Sequence, residues 1–179
     1  MSGALTITIP GEPCAQGRPR ATNMAGHIHI YDPPASRSWK GAARYQMAMA
    51  LEGNGSRPDC ILTGCAVGVV VRAFHTCPKS DYRKRKPQPL RWRSKRPDCD
   101  QIVKAVLDAA TSVLWADDAQ VARLLIEQYT AAQGEAPRIE LEVRPLSERG
   151  PHESRDRAGT DPSHGGDNYG DNLEAANCK

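Results

Sequence analysis

Two aspartates and a lysine with the spacing D-x-D-x-x-x-K stand a short distance before an Asp-Asp pair in this 179-residue chain. These residues are Asp98, Asp100, Lys104, Asp117 and Asp118. Carboxylate oxygens are the protein ligands that Mg²⁺ prefers, and the ion usually takes one or two of them together with water and substrate phosphate. A nearby lysine stabilises negative charge that develops on a phosphate oxygen. The residue types therefore indicate a metal site for phosphate chemistry.

A helix over residues 99–111 is predicted to position the first part of this stretch. At about 100° per residue, Asp100, Lys104 and Asp108 share one face of that helix. The remaining arc carries the apolar residues Ile102, Val103, Val106, Leu107 and Ala110. Such a pattern is typical of an amphipathic helix that lies on a sheet. The polar face is then free for chemistry.

Each carboxylate also has an ordinary structural explanation. Asp98 and Gln101 fit a helix N-cap with its capping-box partner. Asp100 fits a first-turn residue that interacts with the helix dipole and pairs with the lysine four positions later. Asp117 and Asp118 fit a turn before a strand. The metal-site interpretation rests on their combination, and it requires the chain to bring Asp118 back to the start of the helix.

The same stretch resembles the signature of RusA-type Holliday-junction resolvases, particularly their phage-encoded branch. That signature is R-P-D-x-D-N-x-x-K-x-x-x-D, then a hydrophobic-Trp segment and D-D-x-Q. The matching residues are Arg96, Pro97, Asp98, Asp100, Lys104, Asp108, Val113, Leu114, Trp115, Asp117, Asp118 and Gln120. In two places the chain departs from the family: Gln101 replaces an Asn, and Thr111-Ser112 replaces an Asn-Gly turn. Without glycine, the turn must avoid positive φ or strain one of these two residues.

The opening segment IPGEPCAQGRPRAT is similar to the family's first strand and its G-x-P-x-x-K-G-R-P-R loop. Gln16 stands where the family usually has Lys, so one phosphate contact is expected to be missing. Arg18 and Arg20 keep the guanidinium groups that bind phosphate in a bidentate manner.

A strongly basic segment, residues 79–96, leads directly to the aspartates. It contains nine cations and one acid, a local charge of +8, whereas the whole chain has a formal charge of +3. Prolines on both sides and within it predict a loop over residues 75–97. Such a loop binds the DNA backbone without reading sequence, although a solvated charge run is the alternative. The predicted DNA contacts are Arg18, Arg20, Arg83, Lys84, Arg85, Lys86, Arg93, Lys95 and Arg96. Tyr82 or Trp92 either stacks on a splayed base or packs on the protein.

Hydrophobic patterns along the chain predict an α+β fold. Strands are predicted at 4–9, 27–31, 65–74, 121–131 and 138–143, and helices at 34–51 and 99–111. We expect a mixed β-sheet of about four to five strands with two main helices packed on it, as in RusA. Residues 1–145 are then one nuclease domain. Residues 146–179 are polar and acidic, and they are predicted to be a disordered tail.

Cysteine and histidine patterns argue against other classes of site. The six cysteines form no C-x-x-C pair and match no zinc spacing. The five histidines accompany no serine or cysteine nucleophile motif. No signal peptide or membrane-length apolar run is present, so we expect a protein with free thiols in a reducing cytoplasm, without a membrane partner or a small-molecule cofactor.

The resemblance implies a Mg²⁺-dependent homodimeric endonuclease that resolves four-way DNA junctions by paired nicks in recombination and repair. It implies a bacterial host cytoplasm and a phage or prophage origin. The implied catalytic set is Asp98, Asp100, Lys104 and Asp118. The implied metal ligands are Asp98, Asp100 and Asp118, with Asp117 as a second-rank ligand. They would bind one or two Mg²⁺ ions, and Mn²⁺ is a possible substitute. Asp108 is expected to anchor Lys104 or cap a neighbouring loop. Two alternatives stay open: a junction-binding protein without turnover, and a metal-dependent phosphoesterase on another substrate.

Overall fold

Two helices lie on one face of a five-stranded sheet in the computed structural model, which describes residues 4–24, 26–53 and 62–147. The helices are α1 (Pro34–Gly53) and α2 (Cys99–Ala110). The strands are β1 (Leu5–Pro10), β2 (Arg20–Met24), β3 (His27–Tyr31), β4 (Val67–His75), β5 (Arg91–Trp92), β6 (Val121–Thr130) and β7 (Arg138–Pro145). Short 3-10 turns occupy Lys79–Asp81 and Asp118–Gln120.

The sheet is mixed, with the strand order β1-β7-β4-β6-β5. The central strands β4 and β6 are parallel, and every other neighbouring pair is antiparallel. Strands β2 and β3 form a separate antiparallel hairpin. The crossover between β4 and β6 contains the basic segment and α2. The predicted α+β fold, a mixed sheet of four to five strands with two helices packed on it, is confirmed.

Alternation along the strands separates the two faces of the sheet. Every second residue of β4 from Val67 to Ala73 is fully buried, because these β-branched and small side chains point toward the helices. The core between the sheet and the helices contains Ile7, Met47, Val71, Ile102, Val106, Trp115 and Leu141. The amphipathic pattern of α2 therefore has the expected cause, since its apolar stripe covers the sheet.

The opposite face of the sheet carries an aromatic and charged ladder. Trp92 stacks on Tyr129 with ring centroids 4.6 Å apart, and Tyr129 stacks on Phe74 at 5.3 Å. The guanidinium of Arg138 lies 4.0 Å above the Phe74 ring. Trp92 pairs in register with Tyr129, so it shares this face and packs on the protein. Trp92 therefore packs on the protein, as one of its two interpretations predicted, and it remains 69% exposed.

Two strands were not expected from the sequence. β5 lies inside residues 75–97, which were predicted to be a loop, and its two residues form a strand only because they pair with the end of β6. β2 has mostly exposed polar side chains and is defined by its pairing with β3. Most of the predicted tail, residues 148–179, lies outside the described residues. Within the described part of the chain, no helix is both long and apolar enough to cross a membrane.

Candidate active site

The predicted polar face of α2 forms one wall of an open cleft of about 440 Å³. Side chains of β6 form the opposite wall. The lining residues are Asp100, Val103, Lys104, Leu107, Asp108, Asp118, Leu124 and Ile126. Asp100, Lys104 and Asp108 therefore share one face of α2, as predicted.

Asp98 and Asp100 lie at the N-terminal end of α2, and both are exposed. Asp98 occupies the N-cap position, but its side chain accepts no capping hydrogen bond. The interpretation of Asp98 and Gln101 as a capping box is therefore wrong. The helix dipole favours negative charge at this end, so both carboxylates suit a place where a cation and a phosphate meet.

Asp118 lies at the other end of α2. Its Oδ1 accepts a hydrogen bond from Thr111 Oγ1, in the residue directly after the helix, and one from Trp115 Nε1 at 3.0 Å. A helix rises 1.5 Å per residue, so Thr111 stands roughly 16 Å along the axis from Asp100. The expectation that the chain brings Asp118 back to the start of α2 is therefore wrong. Asp118 faces the same cleft from its far end.

A tight turn after α2 causes this placement. Ser112 N donates to Trp115 O at 2.7 Å, and Leu114 N donates to Ala110 O at 2.8 Å. Ser112 has a φ of 66°, in the left-handed region that favours glycine. The sequence required this turn either to avoid positive φ or to strain Thr111 or Ser112. In the structure, Ser112 is the strained residue. The strand β6 begins beside the end of the helix and runs back along it.

Asp117 has a structural function in the 3-10 turn that it precedes. Its carboxylate accepts from Ala119 N at 2.7 Å, and the Gln120 side chain accepts from Asp117 N at 3.0 Å, which completes a capping box. Gln120 also donates to the backbone carbonyls of Leu62 and Cys65. The D-D-x-Q part of the motif therefore anchors the start of β6, and only its second aspartate faces the cleft.

The predicted four-carboxylate metal site does not form within the described residues. Among them, no group of three or more His, Cys, Asp or Glu side chains is arranged to hold a metal ion. Two carboxylates would be enough for a smaller site, because Mg²⁺ usually binds one or two of them and keeps water and substrate phosphate as its other ligands. Asp98 and Asp100 at the start of α2 are the two carboxylates available for such a site.

The structure also brings Lys40 of α1 to the edge of the cleft, where sequence reasoning did not expect it. Lys40 donates to Asp32 and, at 3.3 Å, to Asp108. Asp32 also accepts from Gln16 Nε2 at 3.1 Å. The expectation that Asp108 anchors Lys104 is wrong, because Asp108 pairs with Lys40. Asp108 is 68 residues from Lys40 in sequence, so no local pattern indicates this pairing.

Electrostatic interactions link the ion pairs of Lys40, Asp32 and Asp108 to Lys104. Burial lowers the pKa of Lys40, but its hydrogen bonds to Asp32 and Asp108 outweigh that effect and raise it. The pKa of Asp32 is lowered, mainly by the hydrogen bond from Lys40, with a further contribution from the charge of Lys104. Lys104 and Asp32 are therefore close enough to interact. Ion pairing holds the network together around the lysine of the motif.

Arg44, one turn further along α1, stabilises the end of α2. Its guanidinium donates to the carbonyls of Asp108 at 3.1 Å and Ala109 at 3.3 Å. These carbonyls have few partners at a helix C-terminus, where positive charge is favourable. Arg44 is therefore exposed and at the same time bound to the C-terminal end of α2.

The basic segment has a defined shape. Gln133 Oε1 accepts from Arg83 N at 2.9 Å and from Gln88 N at 3.4 Å, and Gln133 Nε2 donates to Arg83 O at 3.3 Å. Arg91 forms an ion pair with Asp81. These hydrogen bonds and this ion pair leave a run of predicted DNA-binding residues exposed: Arg83, Lys84, Arg85 and Lys86.

The remaining predicted DNA-binding residues divide into two groups. The exposed ones are Arg18, Arg20, Lys95 and Arg96. Arg93 is half-buried and donates to Arg96 O at 2.6 Å, while its buried Nε has no hydrogen-bond partner among the described residues. Arg93 thus points inward, toward the segment that carries Asp98.

Comparisons with known proteins agree with the motif. A family model described as Endodeoxyribonuclease RusA matches residues 10–144. The uncharacterized protein YqaN of Bacillus subtilis (strain 168) is 34% identical over 148 residues, which cover 80% of this chain and 97% of that protein. Both matches include the cleft, α2 and the basic segment.

Proposed function

Because the chain belongs to the RusA endodeoxyribonuclease family, we propose that it is a Mg²⁺-dependent endonuclease that resolves four-way DNA junctions by paired nicks in recombination or repair. The observation that carries this proposal is the cleft, which Asp100, Lys104 and Asp118 line together; the exposed basic residues Lys95 and Arg96 directly precede the start of α2. Basic loops attract the DNA backbone, and the carboxylates mark the place where a phosphodiester would react.

In this mechanism Asp98 and Asp100 would hold the metal ion at the start of α2. When bound, Mg²⁺, or Mn²⁺ in its place, polarises the scissile phosphate and makes water more acidic. Lys104, one turn along the helix, stabilises the negative charge that develops on the phosphate oxygens. Asp118 is the remaining member of the proposed catalytic set and faces the cleft from its far end, where its carboxylate would bind a second cation.

Substrate binding follows from the charges outside the cleft. Arg83, Lys84, Arg85 and Lys86 contact the phosphate backbone, with Arg18 and Arg20 as further contacts. Homodimerisation would supply two active sites, one for each of the two strands that must be nicked. We propose a cytoplasmic location in a bacterial host, with phage or prophage origin. The free thiols of Cys14, Cys65, Cys77 and Cys99 are compatible with that compartment.

The test incubates the protein and Mg²⁺ with an end-labelled four-way junction, beside a linear duplex that has the same arm sequence. We expect symmetric nicks in the junction alone. Asp100→Asn should abolish cutting and strengthen junction binding, because it removes a charge that repels phosphate. Glu52→Gln, an exposed carboxylate on α1, is the matched control and should do neither. Equal cutting of both substrates, or of neither, would overturn the proposal.

The same experiment separates the two alternatives. A junction-binding protein without turnover would bind the junction and gain affinity with Asp100→Asn, but the wild type would make no nicks. A phosphoesterase on another substrate would keep its small-substrate turnover when Arg83, Lys84, Arg85 and Lys86 are reversed to Glu. For a junction resolvase, this charge reversal should abolish junction binding and cutting.

A further inference from the structure

A chain of hydrogen bonds, buried at its centre, runs from β4 to the start of α2. It centres on His75, which is only 1% exposed. Its Nδ1 lies 3.0 Å from Glu12 Oε1, and its Nε2 lies 2.9 Å from Gln128 Oε1. Glu12 is held in turn by Thr76, whose backbone N–H and hydroxyl both donate to Glu12 Oε2.

Gln128 of β6 reaches both neighbours of Asp98. Its Nε2 donates to Pro97 O at 3.1 Å and to Cys99 Sγ at 3.1 Å. Asp98 stands between these two residues, and its exposed side chain makes no capping bond. The direction of its carboxylate therefore depends on how the Pro97 carbonyl and the Cys99 side chain on either side of it are held.

The orientation of the Gln128 amide is fixed by its partners. A carbonyl oxygen only accepts, so Pro97 O requires the amide nitrogen to face it. The amide oxygen then faces His75, and His75 Nε2 must carry a proton to donate to it. This donation is the same for neutral and charged His75. A buried amide with a determined orientation is a rigid support for the segment that it holds.

A second hydrogen bond holds α2 from the opposite side of the motif. Gln16 N donates to Gln101 O at 2.9 Å, so the N-terminal loop is attached to the first turn of the helix. Gln16 and Gln128 thus hold positions on both flanks of Asp98 and Asp100. Gln16 belongs to the N-terminal loop that resembles the family's phosphate-binding loop, whereas Gln128 lies outside both sequence motifs.

We propose that Gln128, oriented by His75, is a positioning residue that sets the carboxylate of Asp98 for cation binding. This inference rests on the proposed function, which assigns Asp98 to the metal ion. Groups that orient a ligand from outside the coordination shell change metal affinity or activity by roughly 10- to 100-fold when they are removed. Removing the Gln128 side chain should weaken metal binding by the low end of this range, because Asp100 remains unaffected.

The test measures Mn²⁺ binding directly, by titrating the protein with Mn²⁺ and following the free ion by electron paramagnetic resonance. Gln128→Met keeps the length of the side chain but removes both donated bonds. We expect roughly tenfold weaker Mn²⁺ binding and a similar rise in the Mg²⁺ concentration that gives half-maximal cleavage. Affinity for the junction without metal should not change. Gln46→Met on α1 is the matched control.

If Gln128→Met does not fold, two variants of Cys99 test whether Gln128 positions Asp98. Cys99 is exposed, so substitutions there should leave the core intact. Cys99→Ala removes one of the two acceptors of Gln128 and should weaken Mn²⁺ binding about threefold, a fraction of the effect of removing the whole support. Cys99→Ser restores an acceptor and should restore affinity. Equal Mn²⁺ affinity in the wild type, Cys99→Ala and every folded Gln128 variant would overturn the inference.

The failure of this inference is distinguishable from the failure of the proposed function. If the wild type cuts junctions and Gln128→Met keeps its Mn²⁺ affinity, the function stands and the positioning role is wrong. If the wild type binds Mn²⁺ in a manner that Asp98→Asn abolishes but cuts nothing, the function is wrong. The Mn²⁺ affinity of Gln128→Met still decides the positioning role in that case.

Discussion

The buried indole of Trp115 donates to Asp118 Oδ1 over 3.0 Å, so the tryptophan of the motif orients an aspartate three residues later. Thr111 donates to the same oxygen from the end of α2. The aspartate is exposed, but these two donors hold one of its oxygens. The spacing between Trp and Asp-Asp in the family signature thus has a physical explanation in this chain.

Trp115→Phe should therefore slow junction cleavage by about tenfold, a loss of about 1.4 kcal/mol of transition-state stabilisation, without weakening junction binding. The substitution keeps an aromatic ring in the core but removes the indole donor. Single-turnover cleavage rates at saturating Mg²⁺ provide the measurement. Trp92→Phe is the matched control, since Trp92 lies on the open face of the sheet and should tolerate the change. Equal rates for both variants would contradict the orienting role of Trp115.

Ser112→Gly should stabilise the protein by up to about 1 kcal/mol, because a non-glycine residue at φ 66° is strained. Chemical denaturation followed by circular dichroism measures the change in the free energy of unfolding. Ser112→Ala keeps the Cβ atom and should give no gain. A loss of stability in Ser112→Gly would mean that the hydroxyl contributes more than the strain costs.

Lys40→Met should destabilise the fold by about 1–2 kcal/mol, because it leaves Asp32 and Asp108 facing each other without their shared cation. Arg37→Met, an exposed cation on the same helix, should change stability little. Thermal and urea unfolding of both variants at neutral pH test this difference. Comparable stabilities would show that solvent screens the pair completely.

The buried His75 should make folding sensitive to acid. Burial lowers the pKa of His75, and the charge of Arg93 lowers it further, against the opposing effect of Glu12 and Gln128. The folded state then binds fewer protons than the unfolded state below pH of about 6.5, the ordinary pKa of histidine. The free energy of unfolding should therefore fall as the pH decreases from about 6.5 through the lowered pKa.

His75→Gln should flatten this dependence, whereas His27→Gln, at an exposed histidine of β3, should not. Urea unfolding at a series of pH values between about 7 and 5 gives the slope for each protein. A slope that is the same in the wild type and in His75→Gln would place the acid sensitivity elsewhere.

Substituting Lys84, Arg85 and Lys86 with Gln should weaken binding to junctions of any sequence. It should also reduce the steepness of log affinity against log salt by about 0.9 for each phosphate that the variant no longer neutralises. Filter binding at several salt concentrations measures both effects. Arg123→Gln, an exposed cation of β6, is the control. An unchanged salt slope in the triple variant would exclude the basic segment from the DNA interface.

The sequence by itself determined the elements that local interactions specify. The period of apolar residues predicted α2 to within a residue of its observed Cys99–Ala110 span, since an amphipathic stripe depends only on neighbours three and four positions apart. Alternating and β-branched runs likewise predicted β4, β6 and β7. The motif identified Asp98, Asp100, Lys104 and Asp118 as chemically distinctive, and all four lie within the residues that the family model matches.

Only the tertiary structure decided which of these residues meet. Asp118 lies beside Thr111 because a strained turn starts β6 at the end of α2, and no local pattern encodes that direction. Lys40 meets Asp108, and Gln128 reaches Pro97, across separations of 68 and 31 residues. Polar contacts of this kind need only one donor and one acceptor, so they leave no periodic trace in the sequence. The packing of two helices on the sheet brings them together.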